Sequence, residues 1–148
     1  IELVIVGEGP DRKELEKQVD SLGLTEHVTF TGKIDNTKIP RYINSFDIFT
    51  ALSRLDSESF GVAAVEAMAC ACPVVVSDVD GFKEVVVDNE TGFIVPRNNA
   101  IAAAKKMQRL IDNPDLRTEL GRNGHKRVET LYDWNDNVNR MIDIYRNI

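Results

Sequence analysis

Cysteine and histidine are scarce in this chain, and each scarcity removes a class of chemistry. Cys70 and Cys72 are the only two cysteines. Their spacing is neither a metal knuckle nor a C-x-x-C redox pair, so they are expected to be inert, reduced, buried thiols, as suits a cytoplasmic protein. His27 and His125 are the only histidines, lie far apart and bring no ligand cluster with them, so both are expected to be structural. A G-x-S-x-G turn is also lacking, which leaves a Ser-His-Asp site without support. No apolar run approaches the ~20 residues needed to span a bilayer, and no signal peptide is visible. Basic excess is missing too. The net charge is -6 and the pI about 4.9, with Lys and Arg scattered or mixed with acids, which argues against a nucleic-acid surface. There is no internal repeat, linker or low-complexity segment.

What is present is an ordinary globular composition, 43% hydrophobic and 28% charged over 148 residues. That is a single-domain length, able to bury roughly 70% of its unfolded surface. The chain starts without Met, directly on the strand-like run Ile1 to Val6, and looks like a piece of something longer.

The pattern alternates strand and helix. Ile1 to Val6 is a nearly continuous apolar, β-branched run, expected of a strand covered on both faces. Gly7 to Pro10 is a turn, Asp11 a predicted N-cap for a helix over Arg12 to Ser21, and Gly23 its stop. Further strands are predicted at Val28 to Thr31, Phe46 to Leu52, Pro73 to Val76 and Phe93 to Val95. Short helical pieces are predicted at Thr37 to Ile43 and Phe82 to Val87. Longer ones follow at Asn99 to Ile111, Asp115 to Thr130 and Asn135 to Asn147, the last with an apolar stripe of Val138, Met141, Ile142 and Tyr145. Alternation with short Gly-bearing turns predicts an α/β, Rossmann-like parallel sheet with helices on both faces. In such sheets ligands sit at the carboxyl ends of the strands, where the loops Gly7 to Pro10 and Ser53 to Gly61 lie.

The most informative stretch is Glu58 to Glu66. Glu58 stands in the polar loop Ser53 to Ser59, and Glu66 is the only charge between Phe60 and Ser77. Val62 to Cys72 is Ala-rich, apolar on every side and ends at Pro73, so it is expected to be a short helix buried in a core. A lone carboxylate there is costly unless it is paired or faces a cleft. Gly61 at the helix start allows close backbone approach, and free N–H groups there favour a phosphate. Glu66, ~7 Å along the axis from that start, is placed to hydrogen-bond vicinal hydroxyls such as those of a ribose. Glu58 is placed to do the same for a second sugar. A plainer reading stands beside this one: Glu66 ion-paired with a Lys or Arg, and Glu58 merely capping the helix.

Two other motifs are weaker. Gly7-Glu8-Gly9 has Arg12 where a dinucleotide fingerprint needs its third glycine, and Glu8 would repel a pyrophosphate, so a tight turn lining a cleft is expected. Asp78-Val79-Asp80 offers two carboxylates near a strand end without further ligands. Solvation in a loop explains them better than a metal.

The ordered set of these residues resembles the C-terminal, nucleotide-sugar-binding half of retaining glycosyltransferases of the GT4 family (group 1), which have the two-domain GT-B architecture. The landmarks are Val4-Ile5-Val6-Gly7-Glu8-Gly9-Pro10, Val28 to Gly32, Asp47-Ile48-Phe49 and Glu58-Ser59-Phe60-Gly61 through Glu66-Ala67-Met68-Ala69. Pro73-Val74-Val75, Gly81, Glu84, Thr91-Gly92-Phe93 and Tyr132-Asp133-Trp134 complete them. The resemblance implies that Glu66 binds the ribose hydroxyls and Glu58 contacts the transferred sugar near the reacting centre. It also implies that the backbone at Phe60, Gly61 and Val62 lies against sugar and diphosphate, and that Gly32, Lys33 and Ile34 pack on the base. No cofactor or metal is expected; the nucleotide-diphosphate sugar is the donor substrate. Residues 1–148 would form one donor-binding domain, with 135–148 a crossover-type helix. The first strand and loop, which carry the Arg and Lys that grip the diphosphate, and the N-terminal acceptor domain would be missing. The last helix would pack across that absent domain, and the full protein leaves room for peripheral membrane association. Three residues depart from the family pattern: Ala71 stands where Gly is usual, Leu52 where Pro commonly precedes Ser53, and Lys83 where Pro often follows Gly81. A sugar-nucleotide epimerase of the same architecture and a non-catalytic interaction domain are the alternatives.

Overall fold

The computed structural model describes residues 1–55 and 58–147. Asp56 and Ser57 of the predicted polar loop, and Ile148 at the end of the predicted last helix, lie outside the described residues. The chain divides into two compact units, Ile1–Ile39 and Pro40–Ile148.

The first unit contains β1 (Leu3–Val6), α1 (Arg12–Ser21) and β2 (Val28–Gly32). The strands pair in parallel, with Leu3 opposite Val28 and Ile5 opposite Phe30. Asp11 occupies the N-cap position of α1, but its backbone is helical and its side chain makes no capping hydrogen bond. Gly23 ends the helix in the left-handed region at φ 68°, as a helix-stopping glycine should. The continuous apolar run of β1 is not covered on both faces. Leu3 is exposed and Val4 to Val6 are half-buried, because one partner strand and one helix without a buried residue leave much of it open.

The second unit follows α2 (Ile39–Ile43) with β3 (Phe49–Ala51), α3 (Val62–Ala69), β4 (Val74–Ser77), α4 (Asp80–Val85) and β5 (Gly92–Val95). Helices α5 (Ala100–Asp112), α6 (Pro114–Leu131) and α7 (Trp134–Arg146) complete it. β3 begins three residues later than predicted. The amides of Ser45 and Phe46 close a turn onto the carbonyls of Tyr42 and Ile43, which delays the extended conformation. The sheet order is β3-β4-β5, all parallel, with Val75 between Thr50 and Phe93. All four residues of β4 are buried, as its unbroken apolar sequence demands. Alternation along the strand puts Val75 on the face with Phe93 and Val95, where Ala103 and Leu110 of α5 and Leu120 of α6 complete a core. Helix α3 packs on β3 and β4 and also against α6. Asn99 and Asn113 cap α5 and α6 by accepting from the amides of Ala102 and Leu116, and Pro114 fills the first turn of α6.

Helix α7, like α1, has no buried residue. Met141, Ile142, Ile144 and Tyr145 are exposed, and Trp134 at its start is 78% exposed. The stripe read from the sequence is therefore an open apolar face. Among the described residues, no helix is long and apolar enough to cross a membrane.

Candidate functional site

Strand β3 delivers the chain to the carboxyl edge of its sheet, and the loop there returns into α3. Glu58 is half-buried on this loop, and its Oε1 accepts the Gly61 amide at 3.0 Å. The cap-like part of the plainer reading is thus present, and it occupies one carboxylate oxygen. Gly61 takes φ 79°, a left-handed conformation that only glycine adopts without cost. A Cβ there would also lie 2.7 Å from Phe82 Cδ1, and Phe82 is a core residue. Under the same loop, a Cβ on Gly81 would lie 2.4 Å from the Glu58 carbonyl oxygen and 2.8 Å from the Phe60 nitrogen. Two glycines therefore allow the loop to lie directly on α4. From sequence, Gly81 was only a landmark; its packing role needed the structure.

Helix α3 is not buried on every side. Ala64, Ala67 and Met68 face the interior, while Val62, Ala63, Glu66 and Ala69 are exposed. Small alanines made the run look uniformly apolar, but only one stripe of the helix meets the sheet. The desolvation cost expected for Glu66 consequently does not arise. The ion pair of the plainer reading is not seen either: among the described residues, Glu66 has no basic partner. Its carboxylate shares the open face of α3 with Val62 and Ala63, whose amides, in the first helical turn, have no intrahelical acceptor. A carboxylate one turn behind exposed amide donors can hold a ligand that is anionic at one end and hydroxylated at the other.

The helix also ends earlier than expected. The Cys72 amide reaches the Ala67 carbonyl at 3.0 Å and the Ala71 amide the Met68 carbonyl at 2.9 Å, a Schellman motif with Ala71 at φ 55°. Ala71 stands at a position that favours glycine. His125 supports the same end, its Nδ1 lying 2.7 Å from the Ala69 carbonyl oxygen, which agrees with a structural histidine. Cys72 is buried, and burial pushes its thiol up to about 12. Cys70 is only half-buried; burial, then the charge of Glu66, raises its thiol as well.

Asp78 and Asp80 are not simply solvated. Lys83 Nζ lies 3.0 Å from a carboxylate oxygen of each, and these contacts, Asp80 foremost, raise the lysine above its ordinary value. The ammonium group fills the place a cation would need. The lysine that departs from the family pattern thus bridges the two acids.

In the first unit, Gly32 is buried at φ 73°, and its carbonyl accepts the Gly7 amide at 3.0 Å. A Cβ at Gly32 would meet Glu8 Oε1 at 2.8 Å. Lys33 is exposed and Ile34 half-buried. Glu8 is neutralised locally by Arg12, at 2.6 Å, which also holds Glu16 at 2.8 Å. The structure therefore brings Glu58, Phe60, Gly61, Val62 and Glu66 onto one loop and helix, while Gly32, Lys33 and Ile34 belong to the other unit.

The family model for glycosyl transferases group 1 matches residues 1–127. The phosphatidyl-myo-inositol mannosyltransferase of Mycobacterium leprae is 35% identical over all of this chain, which spans 38% of that protein. The structure of sucrose-phosphate synthase from Thermosynechococcus elongatus superposes with a TM-score of 0.90 at 35% identity, covering 99% of this chain and 38% of that one. The C-terminal domain of a group 1 family glycosyl transferase from Francisella tularensis gives 0.82 at 34% identity, covering 90% of this chain and 70% of that one. This chain thus belongs to the group 1 glycosyl transferases and has the α/β fold of their GT-B members.

Proposed function

We propose that the chain is the donor-binding part of a retaining glycosyltransferase that moves a sugar from a nucleotide-diphosphate sugar to an acceptor. The observation that carries this reading is the open face of α3, where Glu66 stands beside the unpaired amides of the first turn. In this assignment Glu66 holds the ribose hydroxyls, and the amides of Val62 and Ala63 face the diphosphate. The remaining oxygen of Glu58 faces the transferred sugar, while its partner oxygen keeps the Gly61 amide. Negative charge builds on the diphosphate as it leaves, and a helix N-terminus stabilises it without a metal. Front-side displacement assisted by the departing phosphate accounts for retention, with Glu58 orienting the sugar rather than attacking it. A glycosyl-enzyme trapped on Glu58 would refute that.

The chain spans 38% of the mannosyltransferase and of the synthase it resembles, so acceptor and turnover belong to a longer protein. We assign to that remainder a preceding strand and loop with the basic residues for the diphosphate, and an acceptor domain against which the open face of α7 packs. Assembly of glycans at the cytoplasmic face of a membrane fits this reading.

Titration with UDP, GDP and ADP by calorimetry tests it: one base is expected to bind saturably and weakly, with no sugar transfer by the 148 residues alone. Binding of none, or transfer by this chain, would overturn the proposal. In the longer enzyme Glu66→Ala is expected to weaken nucleotide binding by about tenfold, the worth of one good charge-assisted hydrogen-bond pair. Glu58→Ala is expected chiefly to lower turnover. Unchanged nucleotide affinity in Glu66→Ala would remove the ribose assignment.

A further inference from the structure

The turn that carries Glu58 is held by residues distant from it in sequence. Its floor is α4, through Gly81 and Phe82. Its wall is Tyr132, the residue that closes α6 and precedes α7: the Phe60 ring meets the Tyr132 ring edge-on, with centroids 5.5 Å apart and planes at 90°. The same end of α6 grips α4 itself. Arg127 donates to the carbonyls of Val85, at 2.7 Å, and Glu84, at 2.9 Å, and the Tyr132 hydroxyl lies 3.4 Å from the Glu84 oxygen. Loop and floor are thus both fastened to the C-terminal end of α6.

Phe60 is itself 38% exposed, and the Gly61 amide to Glu58 carboxylate bond is the turn's own internal closure. Loss of the perpendicular ring contact would free Phe60 to swing outward, and Gly61, adjacent in the chain, would carry the Glu58 bond with it. We infer that Tyr132 is a positioning residue: through Phe60 it keeps the Glu58–Gly61 turn closed and Glu58 in register with the first turn of α3. Because α7 begins two residues after Tyr132, a displacement of that helix reaches the Glu58 turn through one ring contact. The consequence for donor binding rests on the function proposed above; the anchoring itself does not.

Hydrogen exchange at the Gly61 amide of the 148-residue chain reads the closure directly. An edge-on aromatic pair is worth enough that Tyr132→Leu is expected to speed Gly61 exchange about fivefold, with Tyr132→Phe staying within about twofold of the parent because the ring is kept. Val75 in β4 is the internal control and is expected not to change. Phe60→Leu, at an exposed position where folding is not at risk, is expected to reproduce the acceleration. Combining it with Tyr132→Leu should add nothing further. Gly61 exchange unaltered in both single variants, additive effects in the double, or equal acceleration of Val75 would overturn the inference. Nucleotide titration of the same variants separates the two claims. Coupled Gly61 exchange without nucleotide binding supports the anchor and refutes the donor assignment; nucleotide binding with an indifferent Gly61 does the reverse.

Discussion

Helix α3 has a left-handed residue at each end, glycine at one and alanine at the other, and Ala71→Gly tests the physical account of that asymmetry. Ala71 sits at the C′ position of a complete Schellman motif, with φ 55°. It cannot relax to a commoner conformation. Its amide and that of Cys72 are both committed to α3 carbonyls, and its own carbonyl oxygen is covered by α6, where a Cβ on Gly121 would come within 2.1 Å. An L-residue pays roughly 1–2 kcal/mol in this region. Glycine removes that cost but adds about 0.4–1 kcal/mol of unfolded-state entropy. The Ala71 methyl is exposed, so little burial is lost. The net expectation is a stabilisation of about 0.5–1 kcal/mol, or roughly 1–4 °C in midpoint for a chain of this size. Urea denaturation followed by circular dichroism measures it, with an unchanged slope expected. A variant no more stable than the parent, or less stable, would refute the claim that strain is stored at this turn.

Gly61→Ala is the counterpart and should fail badly. Left-handed strain and a Cβ pressed against the buried Phe82 ring together cost about 2–5 kcal/mol, read by the same denaturation. Cys72 supplies a pH dependence. Its folded value, about 12, lies above the ordinary 9.0, so the stability due to the neutral thiol is complete below pH 9 and is lost as pH rises toward 12. Stability of Cys72→Ala is therefore expected to fall less steeply over that range than that of the parent. At pH 8 a thiol reagent should label Cys70 before Cys72 in the folded chain; equal rates would contradict the burial difference.

The α/β alternation and the parallel sheet class were legible in the sequence because each rests on local chemistry. Runs of Val and Ile and turn glycines act within a few residues of where they stand. The paired glutamates were legible for the same reason: a polar loop, a glycine and a helix start are consecutive. Exposure was not legible. Alanine suits a buried helix face and an open one equally, so Val62 to Cys72 gave no indication of which stripe would meet the sheet. The apolar run of β1 likewise announced a buried strand, yet coverage depends on how many partners pack on it.

By itself the sequence determined the order of elements, the placement of Glu58 and Glu66 on one loop and helix, and an alanine at a position that favours glycine. Only the tertiary structure decided that Glu66 faces outward, that Gly81 and Phe82 form the floor of the Glu58 turn, and that Lys83 bridges Asp78 and Asp80. It alone brought Tyr132 to Phe60 across seventy-two positions of chain. The reason is one of range. Propensity and capping act over a turn or two, whereas the contacts that orient the site join residues whose proximity exists only once β4, α4 and α6 have packed.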